Sequence, residues 1–516
     1  MNFLERMIVN IAPNWGVKRM RARHQAKVLA AAYEAAEPGR LRRKSRDYGS
    51  GNTAFAQGGT QPRTEARHLD RNHDIVRNGI NTLVQNIVGA QGIGIQPQPR
   101  GPDGKINEDL VDQIQLIISA WAKRPEVTGQ HDWASSQRLI TRTWVRDGEM
   151  LYQELIGDVP GLVHSSAVPY SLELIEADLL PHDFSDRSRN ILQGVERNAW
   201  NRPIAYHLYK EHPGDPGSSW TPALKRVSAD RIRHVKLVDR IGQVRGVSIL
   251  ASVITRLEDL KDYEESERIA AKIAASMAAV IVKGDPGSYS VEQDPRTGGE
   301  RNMRFQPGMV FDNLRPGESV STIDTNRPNP NLQNYRDGQL RAAAGGMCVS
   351  FSSFSNNYNG TYTSQRQELV EKFGAYGVLA FELISQSIRP TYERLIATAW
   401  ASGQLKVPKG YTLEGLVDAL YMPPPMPWIQ PVHEAMALRA QVRSGFRSAG
   451  SVIAERGGRM YDVYEQISLE RAWANEKGIV LDTDPKQVSN AGLTQARAPG
   501  STLPDLADTA AVSEDS

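Results

Sequence analysis

Residues 247–279 read VSILASVITRLEDLKDYEESERIAAKIAASMAA, a stretch with neither proline nor glycine. Its apolar positions, Leu250, Val253, Ile254, Leu257, Leu260, Ile269, Ile273 and Met277, recur at helical spacing. The pattern predicts one helix over Val247–Ala279, roughly 50 Å long at about 1.5 Å per residue. A helix of that length belongs to a coiled coil, a bundle or a repeat. Its middle is acidic, carrying Glu258, Asp259, Asp262, Glu264, Glu265 and Glu267. Residues 280–327 read as short strands and turns. Leu332–Met347 is helical again, loosened or stopped by Gly345-Gly346.

Towards the N-terminus, Leu69, Ile75, Ile80, Leu83, Val84 and Ile87 predict a helix over Glu65–Val88 that stops at Gly89. The following GAQGIGIQPQP has its glycines in the order GxxGxG and reads as a helix stop and turn, not a nucleotide site. A further helix is expected over Glu108–Trp121. Strands follow. In TWVRDGEMLYQEL (143–155), Asp147-Gly148 between two β-prone runs signals a hairpin. SLELIEADLL (171–180), GVERNAW (194–200), PIAYHLYK (203–210) and Arg231–Leu237 read as further strands. This is an α+β domain with an antiparallel sheet.

On the C-terminal side, SFSSFSNNYNGTY (Ser350–Tyr362) reads as a loop dense in Ser, Asn and aromatic residues. Ser364 with Gln367 forms a capping box for a long helix over 365–400, bent or broken near Pro390. PPPMPW (423–428) is a rigid link before more helix, and the chain beyond Asp482 has the composition of a disordered tail.

The 516 residues suggest two to four packed regions. The net charge of +2 restricts any DNA contact to a local or weak one. Positive charge is concentrated in residues 1–47, at Lys18, Arg19, Arg21, Arg23 and Lys27 and at Arg40, Arg42, Arg43, Lys44 and Arg46. These form either a solvated arm or an arm that touches DNA or an acidic neighbour. Residues 48–62 read as a loop with little to bury. The single cysteine, Cys348, excludes an intramolecular disulfide and reads as a small core residue in a cytoplasmic chain. The most apolar stretch, Ile269–Val282, is interrupted by Lys272 and too short to span a bilayer, and MNFLERMIVNIAPNW lacks the cationic start of a signal peptide.

The motifs of common chemistry are missing. GxxxxGK[ST] is absent, His433-Glu434 lacks the second histidine of HExxH, no GxSxG appears, and the ten histidines have no metal-ligand spacing. No catalytic residue, metal or cofactor is expected. The length speaks against a short head–tail adaptor, and the missing phosphate loop against a DNA-processing packaging enzyme. A third rival reading is a generic nucleic-acid-binding protein led by the basic arm.

Four segments together resemble the lambda-like family of tailed-bacteriophage portal proteins: EARHLDRNHDIVRNGINTLVQNIVGAQGI (65–93), GVERNAWNRPIAYHLYKEHPG (194–214), VSADRIRHVKLVDRIGQVRGVSIL (227–250) and LRAAAGGMCVSFSSFSNNYNGTYTSQRQELVE (340–371). The resemblance covers roughly residues 60–430. It implies a ring of about twelve copies at a capsid vertex, passing double-stranded DNA, in the virion after assembly in the host cytoplasm. By analogy, 1–60 is a basic, partly disordered arm and 61–245 an α+β wing. Residues 246–279 and 328–348 are two stem helices enclosing a clip at 280–327. Residues 349–363 are a tunnel loop, 364–481 the helical upper wing and crown, and 482–516 a disordered tail. Expected partners are the terminase large subunit, the major capsid protein and a head–tail adaptor, with no membrane. The expected DNA-channel residues are Asn356, Asn357, Tyr358, Asn359 and Thr361 with Gly360; the alternative is an ordinary surface loop. Glu258, Asp262 and Glu265 either line the channel, where they would repel phosphate, or pair with stem neighbours or face solvent. Arg19, Arg21, Arg23, Arg42, Arg43 and Lys44 are the candidate arm contacts.

Overall fold

The structure, a computed structural model, describes residues 49–216, 223–276, 280–283, 318–321 and 331–481. The chain divides into two compact units, residues 1–54 and 55–516. Of the first, only 49–54 are described, where the Ser50 carbonyl accepts from the amides of Thr53 and Ala54 and helix α1 (Gly51–Gly58) begins. Within the second unit Phe55 is buried. The stretch 48–62 is therefore not a loop with little to bury. The Phe55 ring lies 5.2 Å under the Arg245 guanidinium, a contact that anchors an otherwise weak helix former.

The expected helix over Glu65–Val88 is two helices, α2 (Thr60–Asn72) and α3 (Asp74–Ile87). His73 between them is extended, with φ −131° and ψ 110°. α3 buries Ile75, Val76, Ile80, Leu83, Val84 and Ile87, whereas α2 buries only Arg63, Ala66, Leu69 and Asp70. α2 is thus held largely by charge. Gly89, at φ 73°, ends α3 as expected, but the loop after it runs into a short strand, β1 (Gly94–Pro97).

Helix α4 (Glu108–Trp121) has the expected bounds and is capped by Asn107, whose side chain accepts from the Leu110 amide. Helix α5 (Trp133–Asp147) starts at an Asp132 cap. Asp147-Gly148 is therefore not a hairpin turn. Gly148 takes the left-handed conformation at φ 87° and closes α5, its amide bonding the Trp144 carbonyl at 2.9 Å. The β-prone run before it is helical because Ile140, Trp144 and Val145 meet the core at helical spacing behind a strong cap.

Strand β2 (Glu149–Ile156) follows at once. It lies between β3 (Tyr170–Ile175) and, further along the chain, Ile232–Lys236. A second sheet has the order β4 (Ile191–Leu192), β5 (Val195–Arg197), β6 (Pro203–Tyr209), β7 (Leu224–Ser228). The strand Ile232–Lys236, β8, completes the first sheet. The named strands of both sheets pair antiparallel, the α+β arrangement expected.

The acidic helix, α6, covers Ile254–Ser276 rather than starting at Val247. Residues 247–253 are held out of it by their backbone partners. Val247 N donates to Leu237 O at 3.1 Å, and Ile249 N to Val145 O at 3.2 Å. β9 (Val280–Lys283) pairs with β10 (Glu318–Ser321); the rest of 280–327 lies outside the described residues. α7 (Leu332–Gly346) ends at the glycine pair as expected. Cys348 is half-buried, not core. It adopts φ 59° in the turn that ends α7, so that Met347 and Val349 on either side take the buried positions.

FSSFS is not loop but a short helix, α8 (Phe351–Ser355). The long helix starts earlier than the Ser364–Gln367 box. Thr361 caps α9 (Tyr362–Leu383), accepting from the Ser364 amide at 3.4 Å. A π turn at Ile384–Ile388 joins it to α10 (Arg389–Ala401), so the break expected near Pro390 is absorbed one turn before the proline. There follow α11 (Leu413–Leu416), β11 (Ala419–Met422), which pairs with β1, the PPPMPW link, α12 (Pro431–Arg443), α13 (Ala449–Glu455) and α14 (Met460–Lys477). The tail beyond Asp482 lies outside the described residues. One apolar core joins α2 to α5, β2, β3, the base of α6 and α7, and α9 to α10.

Candidate functional site

α6 and α7 form an antiparallel pair. Val253 meets Gly346 near one end. Further along, the Arg256 guanidinium donates to Gln339 at 2.5 Å, Arg336 reaches Glu264 at 2.6 Å, and the rings of Tyr263 and Tyr335 sit 5.0 Å apart. Leu257 and Leu260 are buried in the same base as Leu340 and Ala343. Of the acids expected at a channel, Asp262 and Glu265 are exposed and Glu258 is half-buried. Their i, i+4, i+7 spacing puts them on one face, turned away from the α7 contact. None of the three has a hydrogen-bond or ion-pair partner among the described residues, whereas Glu264 is taken by Arg336.

Directly after α7 the chain enters a tightly built base. Ser350 Oγ caps α8 from the Ser353 amide at 3.2 Å. The Glu368 carboxylate, reaching over from α9, accepts from the Phe351 amide and from Ser352 Oγ at 2.6 Å. Asn78 Nδ2 on α3 donates to the carbonyls of Ser353 and Phe354. The projecting part is consequently only residues 356–361. Asn356 turns the chain in the left-handed conformation, at φ 54°. Tyr358, Asn359, Gly360 and Thr361 are exposed, while Asn357 is half-buried with Nδ2 3.5 Å from Asp337 of α7. Thr361 is committed to capping α9. The Tyr358 carbonyl accepts from Gln365. A cavity of about 160 Å³ lies beside the loop, lined by Ser353, Tyr358, Tyr362, Arg366 and Glu368 among others.

The junction between sheet and long helix is ionic and buried. Glu149, at the start of β2, and Arg245, before the long helix, are both 0% exposed, with a closest N–O distance of 2.5 Å. Arg63 of α2 reaches the same carboxylate at 2.6 Å, His234 of β8 at 3.0 Å, and the Gly246 amide at 2.8 Å. Burial alone would raise the Glu149 carboxyl, but Arg245, His234 and Arg63 hold it well below the usual carboxylate range. Burial lowers His234 to about 4 despite its bond to Glu149, so it is neutral at pH 7. Arg67 extends the network, binding Asp147 at 2.7 Å and Asp178 at 2.5 Å. These residues went unnoticed in the sequence, because nothing local distinguishes a buried arginine from a solvated one.

Glu176, Asp178 and His212 bring ligand atoms within 4.8 Å of one another. Arg67 lies 2.5 Å from Asp178 and 3.9 Å from Glu176, so the carboxylate charge that would draw a cation is already met. Among the described residues no helix is long and apolar enough to cross a membrane. Arg19, Arg21, Arg23, Arg42, Arg43 and Lys44 lie outside the described residues.

The family described as phage portal protein, lambda family, matches residues 37–378. The chain belongs to that family. The probable portal protein of Halomonas phage phiHAP-1 is 24% identical over 427 residues, covering 79% of each chain. Portal protein B of Escherichia phage lambda is 25% identical over 199 residues, 34% of this chain and 37% of that one. Among solved structures, a chain from the neck of an empty gene transfer agent particle shares 13% identity, with 83% of this chain and 98% of that chain covered and a TM-score of 0.42. A portal protein of an HK97 family phage from Corynebacterium diphtheriae shares 11% identity over 60% of this chain and 84% of its own, with a TM-score of 0.29. The fold is a portal fold, and the function is that of a capsid portal, a structural role at the capsid vertex.

Proposed function

We propose that the chain is one subunit of a closed ring of about twelve copies whose axial channel passes double-stranded DNA during packaging and ejection. In this reading 61–245 is the wing, α6 and α7 are the stem, and 280–327 is the clip. Residues 356–361 are the tunnel loop, and the helices from α9 onward are the upper wing and crown. The clip takes the terminase large subunit while the capsid fills and a head–tail adaptor afterwards. The wing meets the major capsid protein, and the ring resides in the virion after assembly in the host cytoplasm. The basic arm at 1–60 offers Arg19, Arg21, Arg23, Arg42, Arg43 and Lys44 to DNA or to an acidic neighbour.

The observation that supports this most is the stem face bearing Glu258, Asp262 and Glu265 without internal partners, next to a helix pair that ends at the loop. Duplex DNA carries about one charge per 1.7 Å of axis, and lysine or arginine contacts would trap it through counterion release. Carboxylates on the bore repel it and leave it free to slide. The Asn-rich loop offers neutral donors that touch phosphate without holding it. Packaging of DNA into capsids carrying Glu258→Lys, Asp262→Lys and Glu265→Lys together should be slowed or blocked. Deletion of residues 355–360 should impair genome retention. Normal packaging by the first and full retention by the second overturn the channel assignment of these residues.

A further inference from the structure

One end of the second sheet carries a feature that neither the stem nor the loop accounts for. Two adjacent turns, 186–190 and 198–202, are stitched together there by Asn190, whose Nδ2 donates to the carbonyls of Arg197 at 2.9 Å and Asn198 at 3.0 Å. Asn190 and Asn201 both adopt left-handed backbone, at φ 51° and 61°. The hairpin turn between β5 and β6 is closed several times over. Asn198 Oδ1 accepts from the amides of Trp200 and Arg202, both at 2.9 Å. Asn198 N donates to Arg202 O at 2.9 Å, and Asn201 N to Asn198 O at 3.0 Å. On this rigid turn Trp200 is 89% exposed, and Ile204, at the start of β6, is 41% exposed.

The charge left unpaired on the two turns is one-sided. Asp186 is occupied by Arg189 at 2.8 Å, and Glu196 by Arg226 at 2.8 Å and His207 at 3.2 Å. Arg187 and Arg202 have no side-chain partner among the described residues, and Arg197 reaches only the neutral Asn190 Oδ1, at 3.3 Å. Asp183, the unpaired acid of the segment, acts on Tyr209 at the opposite end of β6.

We propose that these paired turns are a docking tip for an acidic protein surface, with Trp200 as the anchor and Arg187, Arg197 and Arg202 as its charged rim. A fixed backbone carries no ordering cost on binding, and an indole buries more apolar area than most side chains; both are marks of an interface hot spot. Three arginines on two short turns are too narrow a patch to track a nucleic acid backbone, which calls for a wide basic face. They suit a compact carboxylate cluster beside an apolar socket. This inference goes beyond the channel reading and does not depend on it.

The test uses the full chain in cells making complete particles, with Trp200→p-benzoylphenylalanine as a photo-crosslinking probe. The crosslinked peptides are identified by mass spectrometry, with and without R187E/R202E. The tip predicts crosslinks to another protein at a segment rich in Asp and Glu, with the yield at least tenfold lower in R187E/R202E. Crosslinks to nucleic acid, to this chain alone or to none, or an undiminished yield in the double variant, overturn it. Native mass spectrometry of the same variants keeps the two readings apart: ring formation is unchanged if only the tip is affected, and a wild-type chain that forms no rings counts against the channel reading instead.

Discussion

Glu149→Gln removes one charge and almost no volume from the most deeply buried ion pair among the described residues. Arg245 and Glu149 are both 0% exposed, and Arg63 is nearly so. In the variant, the Arg245 guanidinium keeps its charge and loses its counterpart, while Arg63 is left with Asp178 alone, 3.7 Å away. Breaking a buried pair in this way costs about 3–5 kcal/mol, because the remaining charge cannot recover its hydration. Surface pairs elsewhere in the chain would cost under about 1 kcal/mol each, so the two cases are well separated. The assay is urea unfolding followed by tryptophan fluorescence, since Trp121, Trp133 and Trp144 lie in the neighbouring core. A second variant, Glu149→Gln with Arg245→Met, should recover part of the loss. Removing both partners leaves fewer orphaned charges than removing one. A Glu149→Gln chain within about 1 kcal/mol of wild type would refute the reasoning, as would a double variant less stable than both single changes combined.

Three further outcomes follow from the same geometry. Both Glu149 and His234 titrate lower in the folded chain than in the unfolded one, so their contributions are present at neutral pH and lost on acidification. For His234 the window runs from about 6.5 down through about 4, worth on the order of 3 kcal/mol at its lower end, and a His234→Gln chain should lose that part of the pH dependence in denaturation measured between pH 7 and 4. Gly246→Ala should destabilise by about 1–3 kcal/mol, because a Cβ there would run into the Gly148 carbonyl, a backbone atom that cannot swing aside; a midpoint equal to wild type in the same urea assay contradicts this. Glu368→Ala should raise hydrogen exchange at the amides of residues 351–356 and cost about 1–2 kcal/mol, and unchanged exchange there would show that Glu368 does not hold α8.

What the sequence disclosed depended on how local the cause was. The helix over Glu108–Trp121 was legible because its apolar period and its asparagine cap lie within a few residues of each other. The Leu332–Gly346 helix was legible because the glycine pair that stops it is part of the same short stretch. Asp147-Gly148 misled because the same dipeptide serves a hairpin and a helix C-cap, and only the packing of Ile140 and Trp144 decides between them. The long helix was overextended at its start because residues 247–253 are bound by Leu237 and Val145, contacts that no window of sequence contains. The loop at 350–362 was legible as a loop only in its second half. FSSFS becomes helical because Glu368 and Asn78, far away in sequence, satisfy its ends. The acids of α6 could be named from composition, and their spacing put them on one face, but that Glu264 is taken while Asp262 and Glu265 stay open required the partner helix. The Glu149 network was illegible: charges that pair in the core look like any other charges along the chain.

The most direct test of the account is the assembly state of the purified full chain, read by native mass spectrometry together with negative-stain images. The account predicts closed rings of about twelve subunits with a central hole. A chain that stays monomeric or dimeric, alone and when coexpressed with the capsid protein of the same particle, would contradict it.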